Sequence, residues 1–354
     1  MKETFKKVLQ ISAVFIGTVV GAGLASGQEI TQFFTTYGAK SFIGIFVCLI
    51  IYIIMCSIIS SISIKYNLNS YDQLITTVSP GYFGKATDLV TGFFLISSSA
   101  IILAGSGALL HQYFNIPKYV GILLMCVISL YTLMKDTNGL VVINSFIVPS
   151  LIFVLLFVFF LYLSFFGEYI TIDKIVSMKP HKVEILPYQW FISSLLYAGF
   201  NILCCSGVLV PLSREVKSKS AMIKGIILGS IVLTVLSIII NIMLGLNIPS
   251  IFKYDIPLLH IAAPFGKIIQ GMLLCVIWCE MFSTEVSDIY SVAKTMEQKY
   301  KTSYKKAVFI VMAIAVPMSQ IGFKNLIKVL YPGFGAVSVI FMVRCIWFYI
   351  KNKS

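Results

Sequence analysis

Gly17-Thr18-Val19-Val20-Gly21-Ala22-Gly23-Leu24-Ala25-Ser26-Gly27-Gln28-Glu29 lies inside the first long apolar run of the chain. It carries four glycines and a carboxylate where a membrane helix is ordinarily unbroken. An unpaired backbone amide or carbonyl in hydrocarbon costs several kcal/mol, so irregular backbone survives at that depth only inside protein or beside a wet cavity. Glycines lower the cost of unwinding and let a ligand touch bare main chain. The same glycines also suit a small-residue face for close helix packing. Glu29 and a second small, polar patch later in the chain favour the ligand reading.

Composition fixes the environment. Of 354 residues, 58% are hydrophobic and 12% charged, and the mean hydropathy is +0.94. Such a chain has too few polar groups to cover a soluble globule, so it reads as a polytopic membrane protein whose surroundings are a lipid bilayer. The net charge of +13 sits in short loops, where lysines orient spans. No nucleic-acid surface is implied. All eight cysteines fall within apolar runs and read as small buried side chains, not as a disulfide framework. Cys275 and Cys279 share a helix face, but no histidine accompanies them, which argues against a metal site of that kind. Met1 to Lys7 is a short basic stretch with no small-residue cleavage site before Glu29, and reads as the start of a retained first helix.

Runs long enough to cross about 30 Å of hydrocarbon fall at 8–37, 41–64, 88–112, 117–134, 140–166, 187–211, 221–247, 258–292, 305–322 and 326–350. With alternate loops assigned to opposite sides, lysines and arginines divide 18 to 9 in favour of the side holding both termini. That bias predicts cytoplasmic termini in a bacterial plasma membrane. Ten spans split into five plus five at the loop 167–186, giving one repeat at 1–166 and another at 187–354. An odd number per half makes the halves insert with opposite orientation. The expected fold class is therefore an all-α, ten-span inverted repeat in which spans one and six are both broken near mid-membrane. Span six carries Tyr197, Ala198, Gly199, Phe200 and Asn201 at the matching place.

The run Gly21-Ala22-Gly23-Leu24-Ala25-Ser26-Gly27-Gln28-Glu29, with ten spans in this length, resembles the YkvI-like family of bacterial membrane proteins, grouped with the amino acid–polyamine–organocation superfamily. The resemblance covers essentially the whole chain. It implies the five-plus-five fold of LeuT-type sodium-coupled amino acid transporters, in which discontinuous helices meet the substrate and ion at the midplane. The Gly-x-x-Val-Gly-x-Gly pattern of those symporters is present as Gly17, Val20, Gly21 and Gly23. The resemblance implies that the Gly17 and Val20 carbonyls help hold Na+, and that amides near the later glycines meet a substrate carboxylate. It further implies that the adjacent hydroxyls Ser283 and Thr284, with the carbonyl of Glu280, complete the ion site. Glu280 departs from the small apolar residue usual there. Some proton-coupled relatives place a lysine in span five in the sodium's stead; residues 140–166 contain none, which favours Na+ over H+.

Read without the family, Ser283 and Thr284 supply oxygens of the kind a hard monovalent cation takes. Bonding back to the preceding turn is the other habit of such hydroxyls in membrane helices. Glu280, Ser283, Thr284, Ser287 and Ser291 form one helical stripe, as expected of a face turned to a cavity or a partner helix. Four acids fall at membrane depth, Glu29, Glu280, Glu285 and Asp288, and each is a functional-site candidate. Glu285 and Asp288 sit toward the cytoplasmic end of span eight, where solvation is the other expectation, with Lys294 the nearest cation. Freed amides of a broken helix favour an anionic group such as a carboxylate. The expected substrate site is Gly21, Ala22, Gly23, Ser26 and Glu29 with Ser98, Tyr197, Phe200 and Asn201, and Phe33, Ser97 and Ala104 are further candidates for its lining. Glu29 can accept a substrate ammonium, close an outer gate with Gln32 or Tyr37, or carry a proton. Pro332-Gly333 marks a candidate gating hinge.

The resulting expectation is a cation-coupled symporter of a small neutral amino acid or related zwitterion, needing no cofactor beyond the coupling ion. A non-pumping nutrient or germinant sensor of the same fold is the alternative. An enzyme is not expected, since no His-Glu zinc motif, nucleophile elbow or phosphate loop occurs.

Overall fold

The computed structural model of the chain describes residues 2–135, 140–181 and 186–352, and every regular element among them is helical. The first apolar run folds as three pieces: α1 (Lys2–Val19), α2 (Ala22–Ser26) and α3 (Gln28–Phe33). There follow α4 (Lys40–Tyr66), α5 (Tyr71–Val78), α6 (Tyr82–Phe114), α7 (Lys118–Met134), α8 (Leu140–Phe166) and α9 (Ile172–Val176). The second half holds α10 (Gln189–Val216), α11 (Lys219–Gly245), α12 (Pro257–Ala262), α13 (Lys267–Tyr300), α14 (Tyr304–Ser319) and α15 (Phe323–Lys351). Seven of these, α4, α6, α8, α10, α11, α13 and α15, are long and apolar enough to cross a membrane. Helix α7 is apolar but shorter.

Local chemistry sets the boundaries. At α5, Ser70 accepts from the Gln73 amide while the Gln73 side chain accepts from the Asn69 amide at 2.7 Å, a reciprocal cap that satisfies two otherwise unpaired donors. The run expected at 258–292 is divided: Pro264 and Gly266, the latter at φ +98, separate α12 from α13, which then extends to Tyr300. Lipid-facing stripes are plain along α4, where Ile43, Phe46, Ile50 and Ile54 recur at helical spacing and are all exposed.

Helix packing relies on small residues at the crossings. A Cβ on Gly225 of α11 would lie 2.6 Å from Ile11 of α1, and one on Gly229 would lie 2.7 Å from Phe15. On Gly335 of α15 it would meet the Leu196 carbonyl of α10 at 2.5 Å. Close backbone approach is how helices gain contact in a solvent that supplies no hydrophobic drive between them. The most extensive interfaces are α4 with α10 and α1 with α11; α6 crosses α13 at the centre of the bundle.

Span six departs from expectation. Its sequence predicts a break at Ala198 to Asn201, yet α10 runs unbroken from Gln189 to Val216. Asn201 Nδ2 donates to the Tyr197 carbonyl at 3.1 Å, within the helix. Gly199 is the site of a helix crossing, since its Cβ would sit 3.1 Å from the Gly335 carbonyl. Gly199 serves packing against α15. Pro332 is likewise accommodated inside a continuous α15.

Candidate functional site

The break in the first run lies at Val20 and Gly21. The Val20 amide donates to the Ile16 carbonyl at 2.8 Å and the Gly21 amide to the Val19 carbonyl at 3.0 Å. Gly21 is extended, at φ −105 and ψ −173, before α2 starts. Those turns leave the carbonyls of Gly17, Thr18 and Val20 without the amides four residues on, and leave the Ala22, Gly23 and Leu24 amides at the head of a new short helix. A second interruption follows at Gly27, which is left-handed at φ +79 and ends α2. Only glycine takes that conformation freely, and a Cβ there would also lie 2.8 Å from Leu258 Cγ.

Beyond the second interruption α3 turns Glu29 back over α2. The ideal Cβ position of Gly23 lies 2.0 Å from Glu29 Oε1 and 2.5 Å from its Cδ and Cγ. Gly23 is therefore the floor on which the carboxyl rests, and Glu29 is 4% exposed. The Tyr197 hydroxyl of α10 approaches this carboxyl, and Tyr52 of α4 lies in the same neighbourhood. Glu29 Oε2 and both tyrosine hydroxyls are buried without a closed hydrogen bond. Ser26, also in α2, is turned back to its own helix, donating to the Gly23 carbonyl at 2.8 Å.

An aromatic cluster gathers around Tyr197, whose hydroxyl approaches the carboxyl. Phe33 packs on Tyr197 at 5.3 Å and on Phe200 at 6.0 Å between ring centroids; Phe34 meets Tyr197 edge-on at 4.9 Å, and Phe200 reaches Tyr331 at 4.6 Å. On the far side of Phe33 is a small vestibule of about 160 Å³, lined by Gln32, Tyr37, Gln189, Ser193 and Pro332 among others. Ser193 Oγ donates to the Phe33 carbonyl at 2.8 Å, fixing the end of α3 to α10. Gln32 and Tyr37 thus border the vestibule.

Helix α13 presents the other expected oxygens. Thr284 donates to the Glu280 carbonyl at 3.0 Å, Ser287 to the Ser283 carbonyl at 2.9 Å and Ser291 to the Ser287 carbonyl at 2.8 Å. Back-bonding engages each hydroxyl proton and leaves the oxygen lone pairs available. Glu280 and Ser283 are each 4% exposed. Helix α2 packs on α13. Solvation of Glu285 is overturned: it is fully buried and accepts from Ser99 of α6 at 2.7 Å. Lys294 pairs with Glu297 at 2.7 Å and does not serve the deeper acids. Asp288 is half-buried beside Ser98. Sequence reasoning passes over Tyr52, which is one more apolar-span aromatic until the fold brings α4 against α10. It also passes over the pairing of Ser99 with Glu285, which needs α6 against α13.

No family model matches the chain. It is 29% identical to the uncharacterized membrane protein YkvI of Bacillus subtilis (strain 168) over 346 residues, 97% of this chain and 96% of that one. It is 26% identical to the uncharacterized protein YyaD of the same organism over 340 residues, 96% of each chain. Among solved structures, the inward-facing conformation of Mhp1 superposes with a TM-score of 0.67 at 11% identity, covering 94% of this chain and 73% of that one. MhsT in complex with L-phenylalanine gives 0.65 at 16%, covering 94% and 88%. A Na+-coupled sialic acid symporter gives 0.64 at 14%, covering 97% and 78%. The chain is a multi-pass helical membrane protein with the fold of these transporters.

Proposed function

We propose that this protein is a cation-coupled secondary transporter of a small neutral amino acid or related zwitterion, working by alternating access. The observation that carries the reading is the Glu29 carboxyl folded onto Gly23, inside a twice-interrupted first span and beside an aromatic cluster centred on Tyr197. In this reading the substrate's carboxylate meets the amides at Ala22 and Gly23, and its ammonium meets Glu29. Tyr197, Phe200, Asn201 and Ser98 line the remainder of the pocket, and the bulk admitted is limited by Phe33 and Tyr331. A mostly apolar lining with a few converging polar groups is the usual form of a small-molecule site.

Sodium is the coupling ion in this proposal, held by the Gly17 and Val20 carbonyls, the Glu280 carbonyl, and the Ser283 and Thr284 hydroxyls. The freed carbonyls at the break support it. The likeness to a Na+-coupled symporter supports it as well. Ten spans in two inverted repeats, 1–166 and 187–354 about the connection 167–186, with both termini cytoplasmic in a bacterial plasma membrane, complete the proposal. Support comes from the packing: a half-turn that exchanges spans one with six and two with seven converts the α1–α11 interface into α10–α4, and these are the two most extensive in the bundle. It also converts α6–α7 into α13–α14.

The test is uptake of radiolabelled neutral amino acids into proteoliposomes under an imposed Na+ gradient, with Glu29→Gln as the matched control. Concentrative, Na+-dependent uptake that Glu29→Gln abolishes while the variant still folds is the expected result. Saturable binding without accumulation under any cation gradient overturns the transport reading.

A further inference from the structure

Helix α13 carries a second polar face that the site above does not use. Glu285 follows Thr284 by one residue and so points about 100° away around the helix, toward α6, where Ser99 Oγ donates to its Oε1 at 2.7 Å. Its Oε2 is buried with no partner, and the residue is 0% exposed. Asp288 lies one turn further on, between the Thr284 and Glu285 directions around the helix, within electrostatic reach of Glu285. Ser98, 8% exposed, adjoins it from α6, and Asp288 Oδ2 is also buried and unpartnered.

Two carboxyls thus meet two hydroxyls between membrane-spanning helices, with no basic side chain among the described residues bonded to either acid. The ion pairs of Lys118 with Asp255 and of Lys294 with Glu297 lie elsewhere. A carboxylate pair at this depth repels itself and is costly unless a proton or a cation neutralises it. Two carboxyls and two hydroxyls offer hard oxygens of the kind a metal cation takes, and the cation-coupled reading makes that cation Na+. Asp288 is less buried than Glu285. The Tyr331 ring and Cys204 lie within electrostatic reach of both Asp288 and Glu29.

We propose that Glu285, Asp288 and Ser99, with Ser98 shared with the substrate pocket, form a second monovalent-cation site at the α6–α13 interface, distinct from the one assigned to Ser283 and Thr284. It rests on the cation-coupled reading and adds a second ion to it. The site charges when Na+ reaches Asp288 and passes to the Glu285 oxygen that now has no partner.

Binding of radioactive Na+ to the purified full-length protein, read as ions per chain, tests it. Wild type is expected to bind two Na+, Glu285→Gln and Ser99→Ala one each, Thr284→Ala one, and Glu285→Gln with Thr284→Ala none. If Glu285→Gln fails to elute as a folded monodisperse species, Ser99→Ala and Asp288→Asn decide the matter. One Na+ in wild type, lost in Thr284→Ala and kept in Ser99→Ala, overturns this site and leaves the proposed function standing. One Na+ lost in Ser99→Ala and kept in Thr284→Ala upholds this site and overturns the Thr284 one. No Na+ binding, with proton uptake in its place, overturns both.

Discussion

Gly23→Ala tests the contact at the centre of the site. A Cβ at that position would lie 2.0 Å from Glu29 Oε1 and 2.5 Å from Cδ and Cγ, and real Cβ contacts essentially never fall below 3.0 Å. Three atoms are in the way, so the outer half of the glutamate must swing off Gly23 into the space of Tyr197. Overpacking of this kind costs about 1–3 kcal/mol. Alanine in a helix gains back up to about 1 kcal/mol over glycine, and less in a five-residue helix such as α2. The net destabilisation expected is therefore above zero and below about 3 kcal/mol. In a Glu29→Ala background the obstruction is absent and only the propensity gain remains, so the same substitution should stabilise by up to about 1 kcal/mol. The coupling between the two positions is then about 1–3 kcal/mol, readable by reversible unfolding in mixed micelles. Substrate binding should be lost in Gly23→Ala even where the fold is kept, because the carboxyl no longer faces the chamber. Additivity of the two substitutions within about 0.5 kcal/mol would refute the placement of Glu29 on Gly23.

Three further outcomes follow from the same geometry. Gly27→Ala combines a left-handed backbone with a Cβ 2.8 Å from Leu258 Cγ, so it should cost more than Gly23→Ala, about 2–4 kcal/mol, and lower the yield of folded protein; wild-type melting behaviour would contradict it. Thr284→Ala should raise the Na+ concentration needed for half-maximal uptake at least about tenfold, the loss of one ligand worth about 1.4 kcal/mol, while Thr284→Ser keeps it; an unchanged Na+ dependence would remove Thr284 from the ion site. Asp255→Asn breaks the Lys118 pair at 2.5 Å, whose side chains are 48% and 25% exposed; the loss should be under about 1 kcal/mol, seen as a melting curve close to wild type, and a large shift would mean that this tie between α7 and the segment before α12 is not a solvated surface pair.

Periodicity and hydropathy make the helical membrane architecture legible, because hydrocarbon penalises every unpaired backbone group and leaves helices as the solution for a chain of this composition. The glycine run also marks the first span as special. Its geometry is not legible: Gly21 and Gly27 are both points of interruption, but that Gly23 is the seat of Glu29 depends on how α3 folds back over α2. Span six shows the opposite failure. Its glycine and asparagine look like those of a broken helix, yet Gly199 is explained by Gly335 on α15, far along the chain. A small residue at mid-span marks either unwinding or close packing, and only the partner helix distinguishes them. Glu285 is similar, since its depth follows from the Ser99 face of α6 and not from its own neighbours.

The placement of the acids bears on how ion and substrate would influence each other. Glu29 and Asp288 are far apart in sequence, yet Tyr331 and Cys204 lie within electrostatic reach of both. Charge added at either carboxyl therefore changes the potential at groups that line the other. In a water-poor chamber such interactions are weakly screened, so a cation settling near Asp288 and an ammonium settling on Glu29 are not independent events. Linkage requires the effect to be mutual: whatever factor Na+ applies to substrate affinity, substrate applies to Na+ affinity. Like charges at the two acids would repel, whereas the substrate's own carboxylate, at the Ala22 and Gly23 amides, offsets its ammonium. A zwitterion should therefore be bound more tightly in Na+ than a simple amine of the same size. Titrating thermal stability with each ligand, with and without Na+, reads that difference directly through the stabilisation that binding confers on the folded state. An amine that gains as much from Na+ as the zwitterion would separate the two acids electrostatically and remove the basis for coupling through Tyr331 and Cys204.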